Sequence, residues 1–518
     1  ETDSDEKINF LVKIGNCIRG KKKEILEDLK EKFSKENNII SLKINGKYVG
    51  DYSVVRDILV DTAKKNFYFT KSFSGDNQYS KADDRICSVC NKRESEVYGF
   101  ASNYKFYTVD KPGFVSGGFQ QKYAWKNYPV CLNCALTLEE GRKYLGKNLS
   151  FNFYGFRYLL MPKFVRGIEE ETRSEVFGII ERQKDPRFRK KDIRRLTQYE
   201  DEALELMSEQ KNYLNVNFLF YDAPKGYDGS VFNILCYIED ILPSRLKVLF
   251  DAKSQVDKID IFKKCMVPIF ENKKKAGEKE LEFNFGILRD FFYDYINKRW
   301  ISTKYFLDIV NKIFTDKPIS YHFLVSFIIQ KIRNEFINDY STNISTLKGF
   351  MLLNYLNGLG ILRNFKEVRK MNEHRAKIFN ISGEINERVD SFFSEFADFF
   401  SSDAKKAIFL EGVLAQFLLN IQYQERNATP FRIKLKGLKL DEKQIKKLLC
   451  EIQNKLEEYG KNHYYRKLES IISGYLVSAG NRWEMTKDEI SYYFVLGMNL
   501  ASLFKSKSKE AKEVKENG

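Results

Sequence analysis

Two Cys-x-x-Cys pairs constrain this chain more than any other feature of its sequence. Cys87 and Cys90 form the first pair, and Cys131 and Cys134 form the second, after an insert of forty residues. A Cys-x-x-Cys turn directs both sulfurs at one point, and two such turns supply the four thiolates of a tetrahedral zinc site. All three histidines lie in the C-terminal half of the chain. We therefore expect a closed, all-cysteine site that holds Zn²⁺ in a structural role.

Two other interpretations of the cysteines are possible, a pair of disulfides and a redox site. Disulfides fit poorly, because the chain shows no secretory segment and its other cysteines are scattered, at Cys17, Cys236, Cys265 and Cys450. A redox motif needs one pair and not two. Zinc is therefore the favoured interpretation.

The insert between the pairs, residues 91–130, is long, aromatic and interrupted by turn-forming residues. Pro112-Gly113 and Gly117-Gly118 mark turns, and the ten Phe, Tyr and Trp residues can form a small core. The functional interpretation of the insert depends on its polar residues, which include Gln120, Gln121 and Lys122. Because zinc would hold both ends of this long insert together, we expect the insert to have a function of its own.

Charge and aromatic content favour a polyanionic partner. The chain of 518 residues has 87 Lys and Arg against 71 Asp and Glu, a pI near 9.1, 43 Phe and 30 Tyr. Nucleic acid or an anionic membrane surface would suit this balance, although a Lys-rich proteome gives the same excess. No apolar run approaches the ~18 residues that a membrane span requires. We expect a soluble, intracellular protein.

Hydrophobic periodicity divides the chain into two kinds of structure. Strand patterns occur near residues 151–160, 214–221 and 230–238, and helical patterns dominate from residue 241 onward. The sequence therefore predicts an α+β N-terminal region with a four-cysteine zinc-finger insert, followed by an all-α C-terminal helical bundle. The expected domains are residues 1–345 and 346–504, with a charged tail at 505–518.

Two further segments could contact phosphates. The most basic patch of the chain contains Arg187, Arg189 and Lys190, and a turn-rich loop at Ala223–Gly229 contains Lys225. A solvated helix face is the ordinary interpretation of such a basic run, so the patch alone does not establish a binding site.

We find no set of residues typical of catalysis. The chain has no GxxxxGK[ST] loop and no HExxH, and Gly358-Leu359-Gly360 lacks the strand and the third glycine of a nucleotide cradle. This absence favours a binding protein or a scaffold, and we expect no enzymatic activity.

Several motifs together resemble a known family. The zinc-finger stretch CSVC…YKFYTVDKPGFVSGGF…AWKNYPVCLNCA, the segment Ile238–Arg245 and the C-terminal motifs Leu410–Leu414 and Tyr493–Met498 are similar to the large subunit of type I-B CRISPR Cascade complexes. All four cysteines of the motif are present. No single motif is decisive, but their combination is specific.

The resemblance implies a non-catalytic subunit of a crRNA-guided antiviral complex. Its N-terminal part would recognise the protospacer-adjacent motif in target dsDNA and help to open the duplex, while guide pairing reads the sequence. Its C-terminal bundle would resemble the small subunit and hold the displaced single strand. The implied partners are crRNA, repeated backbone and guide-end-capping Cascade subunits, the small subunit and a separate helicase-nuclease.

The residues supply suitable groups for these contacts. Amides can both donate to and accept from base edges, lysines donate to purines, and glycines allow close backbone approach. We expect DNA contacts from Gly117, Gly118, Gln120, Gln121, Lys122, Trp125, Lys126 and Asn127 of the insert, and from Arg187, Arg189, Lys190 and Lys225. Contact of these loops with sibling subunits is the competing interpretation.

The sequence also suggests a second product. Lys366–Lys370 can be encoded by a purine-rich ribosome-binding sequence just before Met371, and in the resembled family the small subunit can arise from an internal start. Lys/Glu runs are, however, common in this chain. Two other functions stay open, a stand-alone zinc-containing nucleic-acid enzyme of primase or nuclease type, and a purely structural scaffold.

Overall fold

The computed structural model divides the chain into two compact units. It describes residues 2–33, 40–71, 75–101, 103–104, 116–164, 169–182, 214–222, 233–271, 274–294, 299–363, 365 and 385–505. Within these residues the first unit runs to Tyr144, and the second comprises Leu145–Asp222 and Asn233–Gly518. The expected boundary between residues 345 and 346 instead lies within a helix of the second unit, Asn343–Gly358.

The first unit combines helices with short antiparallel hairpins. Its helices are α1 (Thr2–Gly20), α2 (Lys22–Lys32), α3 (Ser53–Tyr68) and α4 (Leu132–Asn148), the last of which continues into the second unit. Its strands are β1 (Lys43–Ile44), β2 (Lys47–Tyr48), β3 (Phe69–Lys71), β4 (Asn77–Tyr79), β5 (Lys81–Ile86) and β6 (Arg93–Tyr98). Asn45 and Gly46 take positive φ angles between β1 and β2, which is the backbone geometry that an Asn-Gly turn favours.

A four-stranded antiparallel sheet begins the second unit. Its strands are β7 (Ser150–Phe153), β8 (Phe156–Phe164), β9 (Leu214–Asp222) and β10 (Asn233–Ile241), in the order β10-β9-β8-β7. Aromatic side chains fill the space between this sheet and the helices that follow. Phe153 lies 5.3 Å from Phe285, and Phe218 lies 5.1 Å from Phe314, between ring centroids. Edge-to-face and tilted pairs of this kind add to the stabilisation from burial.

Helices dominate the rest of the second unit, as expected. They are α5 (Glu170–Arg182), α6 (Pro243–Asp257), α7 (Asp260–Lys263), α8 (Phe285–Phe292), α9 (Thr303–Phe314), α10 (Tyr321–Ile337), α11 (Asn343–Gly358), α12 (Ile385–Glu395), α13 (Asp403–Arg426), α14 (Glu442–Glu458), α15 (Asn462–Ala479) and α16 (Lys487–Leu500). None of the helices in the described part of the chain is both long and apolar enough to span a membrane.

The expectation of helix from residue 241 onward misses several strands. A hairpin of β11 (Met266–Glu271) and β12 (Lys274–Glu280) lies between helices. Short pairs follow, β13 (Tyr293–Asp294) with β14 (Arg299–Trp300), and β15 (Ile319–Ser320) with β16 (Leu362–Arg363). The C-terminal region is therefore mainly helical, with short strand pairs between its helices.

Helices α13 and α16 approach each other through two glycines. A Cβ atom at Gly412 would overlap the carbonyl oxygen of Phe494, and one at Gly497 would overlap that of Phe409. These glycines belong to the two C-terminal motifs of the sequence. Their lack of a side chain lets the two backbones touch, so these motifs have a packing role.

The segment Ile238–Arg245 also has a structural role. It covers the end of β10 and the start of α6, where Pro243 occupies the first turn of the helix. The Arg245 guanidinium donates to the Ile313 carbonyl at 2.6 Å and pairs with Asp316 at 2.9 Å. A cation at this position satisfies free carbonyls at the end of α9 and opposes the helix dipole.

Candidate metal centre and nucleic-acid interface

The four predicted cysteines meet at one point of the first unit. Cys87 and Cys90 lie in the turn between β5 and β6, while Cys131 precedes α4 and Cys134 lies in its first turn. All four Sγ atoms lie within 4.8 Å of one another. All four thiols are free, so neither pair forms a disulfide.

Backbone hydrogen bonds bring the two halves of this centre together. The Cys131 amide donates to Cys87 Sγ at 3.3 Å, and the Ser88 amide donates to the Pro129 carbonyl at 2.8 Å. Tyr98 and Val130 form a β-bridge directly beside the cysteines. The second half is therefore held against the hairpin by the backbone itself.

The thiols differ in acidity because their surroundings differ. Burial raises the pKa of Cys87, but amides of Cys131, Cys90 and Val89 outweigh it and lower that pKa to about 6. Burial and contacts with the other three sulfurs raise the pKa of Cys134 to about 12. Without a cation, a cluster of this kind cannot ionise fully.

The donor set fits a structural Zn²⁺ ion. Tetrahedral zinc with Zn–S bonds of about 2.3 Å places sulfurs roughly 3.8 Å apart, which the clustered Sγ atoms can reach with small rotations. Cys87 and Cys131 are buried among Ala101, Val130 and Ala135, which exclude water from one side of the site. Four protein ligands leave no open position, so such an ion would stabilise the fold.

A buried serine fixes the segment that contains the predicted DNA contacts. This segment is a 3₁₀ helix, Gln121–Lys126. Ser80 Oγ accepts from the Trp125 amide at 3.1 Å and donates to the Lys122 carbonyl at 3.3 Å. A Cβ atom at Gly99 would overlap Ser80 Oγ, so glycine is needed where the hairpin meets the 3₁₀ helix.

The structure exposes four of the predicted contact residues on this 3₁₀ helix and its N-cap. Gln120, Gln121, Lys122 and Lys126 all lie at the surface. They are adjacent in the chain and share a short rigid segment, so their polar groups can act on one ligand. Their role in DNA binding stays a prediction.

The other predicted residues of the insert contribute to its local structure. The Asn127 side-chain amide donates to the Ser116 carbonyl at 3.1 Å and closes the loop. Gly117 has φ +93° and lies against Tyr123, where a Cβ atom would overlap the tyrosine, whereas Gly118 has open space around it. Trp125 is half-buried. Of these, Gly118 best suits a close approach to a ligand.

Cations lie over the aromatic rings of the 3₁₀ helix. Lys122 and Lys126 Nζ both lie 4.7 Å from the Tyr123 ring centroid, and the Arg85 guanidinium lies 5.6 Å from that of Trp125. Such contacts orient long basic side chains at low entropic cost. The surface defined by Arg85, Gln120, Gln121, Lys122 and Lys126 is called the finger surface below.

Sequence reasoning missed two residues of this region. Ser80 has no motif around it, and its role depends on contacts with residues more than forty positions away. Arg85 lies in the charged strand Lys81–Ile86, in which no periodic apolar pattern marks one face. Neither residue carried a local signal.

The second basic region lies outside the described residues. Arg187, Arg189, Lys190 and Lys225 with its loop belong to ranges that the structure leaves undescribed, as do Met371 and residues 506–518. The predictions for these residues therefore stay predictions.

Models of one protein family match successive parts of the chain. They describe the N-terminal, central and C-terminal domains of CRISPR-associated protein TM1802, and match residues 1–61, 84–241 and 283–512. The central match contains all four cysteines and the finger surface. A comparison with curated proteins finds none that matches. The three successive domain matches show that the chain belongs to the TM1802 family of CRISPR-associated proteins.

Proposed function

We propose that this chain is the large, non-catalytic subunit of a type I-B crRNA-guided Cascade complex. In this role the first unit recognises the protospacer-adjacent motif in dsDNA and helps to open the duplex. The observation that carries the proposal is the finger surface, where two exposed amides and two lysines lie on a segment held by Ser80 and Arg85 of β5 lies beside them. Amides beside cations are the groups that read base edges in a groove while contacting phosphates.

Membership of a CRISPR-associated family supports the proposed partners. They are crRNA, the repeated backbone and guide-end-capping subunits, a small subunit and a separate helicase-nuclease, in the prokaryotic cytoplasm. The mainly helical C-terminal region would hold the displaced strand. An internal start at Met371 would supply the small subunit as residues 371–518, and the mass of a co-purifying small band tests this. A band with another N-terminus contradicts it.

The motif assignment is tested in the assembled complex with crRNA. We expect Gln120→Ala/Gln121→Ala to reduce discrimination between the correct and a mutated motif by roughly 5- to 150-fold, the effect of losing one bidentate base contact of about 1–3 kcal/mol. Binding titrations on two duplexes that differ only in the motif measure this. The exposed Gln255→Ala serves as control and should leave discrimination unchanged.

The lysines of the finger surface should behave differently from the amides. Lys122→Ala/Lys126→Ala should weaken binding about equally for both duplexes and lower the salt dependence by up to about two phosphate contacts. If the amide variant weakens both duplexes equally, the amides do not read the motif. A structural scaffold would bind with little salt dependence, and Mg²⁺-dependent cleavage of DNA by the purified chain would favour the enzyme alternative.

A further inference from the structure

A polar cavity in the second unit belongs to neither the cysteine centre nor the finger surface. It has a volume of about 300 Å³ and lies where the end of α10, the middle of α13, the start of the 3₁₀ helix Pro430–Leu438 and the end of α16 meet. We propose that this cavity binds one unpaired nucleotide of a single strand, with its base between tyrosines and its edge on an amide pair.

The amide pair lies on one face of α13. Gln416 Nε2 donates to Asn420 Oδ1 at 2.9 Å, across one turn of the helix. This bond uses a donor of Gln416 and the side-chain oxygen of Asn420. Among the residues that the structure describes, the Gln416 side-chain carbonyl and the Asn420 amino group have no other hydrogen-bond partner. An acceptor and a donor side by side match the edge of a nucleobase, which presents the complementary pair.

Two tyrosines border the cavity and remain open to solvent. Tyr340 follows α10 with 60% of its surface exposed, and Tyr423 lies near the end of α13 with 61% exposed. A large aromatic side chain gains little for the fold at this exposure. Stacking on a base would bury it, and base–aromatic stacking tolerates any base sequence.

Arg432 supplies positive charge at the wall of the cavity. Its guanidinium stacks 3.9 Å from the Phe336 ring centroid and donates to the Phe336 carbonyl at 2.5 Å. Its acidic partner, Asp339 at 3.2 Å, is 85% exposed, so water screens that ion pair strongly. A guanidinium held in this way can pair with a phosphate without further ordering of its own side chain.

Size and polarity select the ligand class. The volume lies at the lower end of the ~300–1,000 Å³ typical of small-molecule sites, which suits one nucleotide and excludes a duplex. Amides, hydroxyls and a guanidinium in the wall disfavour an apolar ligand, because burial without partners would leave them unsatisfied. The inference deepens the proposed function, since the displaced strand is the natural source of such a nucleotide.

The test uses the purified full-length chain and a fluorescent single-stranded DNA oligonucleotide. We expect Tyr423→Ala and Asn420→Leu each to weaken binding about tenfold. The first variant removes the ring on which the base stacks, and the second removes the amide that bonds to the edge of the base. Tyr237→Ala is the matched control, an exposed tyrosine of the same unit that does not line the cavity, and it should bind as the parent does. Unchanged melting temperatures show that the variants fold.

Cross-linking gives a second and independent measurement. An oligonucleotide with one 5-iododeoxyuridine should cross-link to peptides that contain Tyr340 or Tyr423. Unaltered affinity of both cavity variants, or cross-links only elsewhere, would overturn the inference. The motif test of the assembled complex fails or succeeds separately. Motif discrimination could be unchanged in the Gln120/Gln121 variant while the cavity variants lose single-strand binding. That result would contradict the proposed motif recognition and support the nucleotide site.

Discussion

Glu411 is a buried carboxyl without a hydrogen-bond partner among the described residues. It lies in α13 next to Gly412, its exposed fraction is 0%, and neither of its side-chain oxygens is paired. Burial raises its pKa well above the usual value. Folding therefore favours the neutral acid form of this side chain, whereas the unfolded chain releases the proton above about pH 4.3.

This difference predicts how stability depends on pH. The contribution of Glu411 is fully present below the unfolded pKa and falls by about 1.4 kcal/mol per pH unit as pH rises towards the folded pKa. Glu411→Gln keeps the shape of the side chain and removes its titratable proton. The stability of the variant relative to the parent should therefore increase with pH. Denaturant unfolding at several pH values measures the difference. Glu425→Gln, at an exposed position of the same helix, is the control for the effect of the substitution itself.

Single residues also show what the sequence could reveal. The four cysteines were predictable because metal ligation depends on residue type and on spacing within a short turn, which is local information. Asn127 was predicted as a DNA contact from its residue type, and the structure adds a local contact that the sequence did not reveal, in which its side-chain amide donates to the Ser116 carbonyl. Only the three-dimensional structure shows which polar groups are already used.

At the scale of elements, the contact between α13 and α16 depends on two glycines. Gly412→Ala or Gly497→Ala would force the helices apart, and we expect a loss of several kcal/mol, as for overpacking against backbone in a core. Thermal unfolding measures it. Gly474→Ala on α15 has open space around the new methyl group and should be neutral or stabilising by about 0.5–1 kcal/mol. Equal effects at all three positions would contradict this role.

The helices were more predictable than the small strands. Apolar residues at helical spacing predicted helices where α13, α14, α15 and α16 lie. The pattern was visible because these helices bury their apolar residues against the core. Strand β12, which reads Lys-Lys-Ala-Gly-Glu-Lys-Glu, was missed. It has no alternation of apolar and polar residues, and its Lys and Glu residues favour a helix locally, so only pairing with β11 makes it a strand.

For the whole molecule, the two units differ in what stabilises them. Around the cysteines, the first unit has a small apolar cluster, whereas the second has an extensive aromatic core. A structural metal contributes the largest share of the folding free energy where the hydrophobic core is small. Zinc removal should therefore unfold the region around the cysteines and leave the second unit folded.

This expectation is tested by heating the chain with and without a zinc chelator. We expect the chelator to shift or abolish an early transition, abolish motif discrimination and leave a later cooperative transition in place. Cys134→Ser should reproduce the effect of the chelator, while Cys450→Ser, an exposed cysteine outside the centre, should not. One transition that is insensitive to the chelator and to both variants would contradict a structural role for the metal.

The β-bridge between Tyr98 and Val130 has an evolutionary consequence. Because Tyr98 and Val130 are joined by backbone pairing beside the cysteines, the number of residues between them can change at a free-energy cost that grows only slowly with that number. Viruses escape by changing the DNA that their host inspects. If the finger surface recognises the motif as we propose, exposed positions such as Gln120 and Gln121 could change to follow the virus, while Ser80 and the four cysteines hold the segment in place.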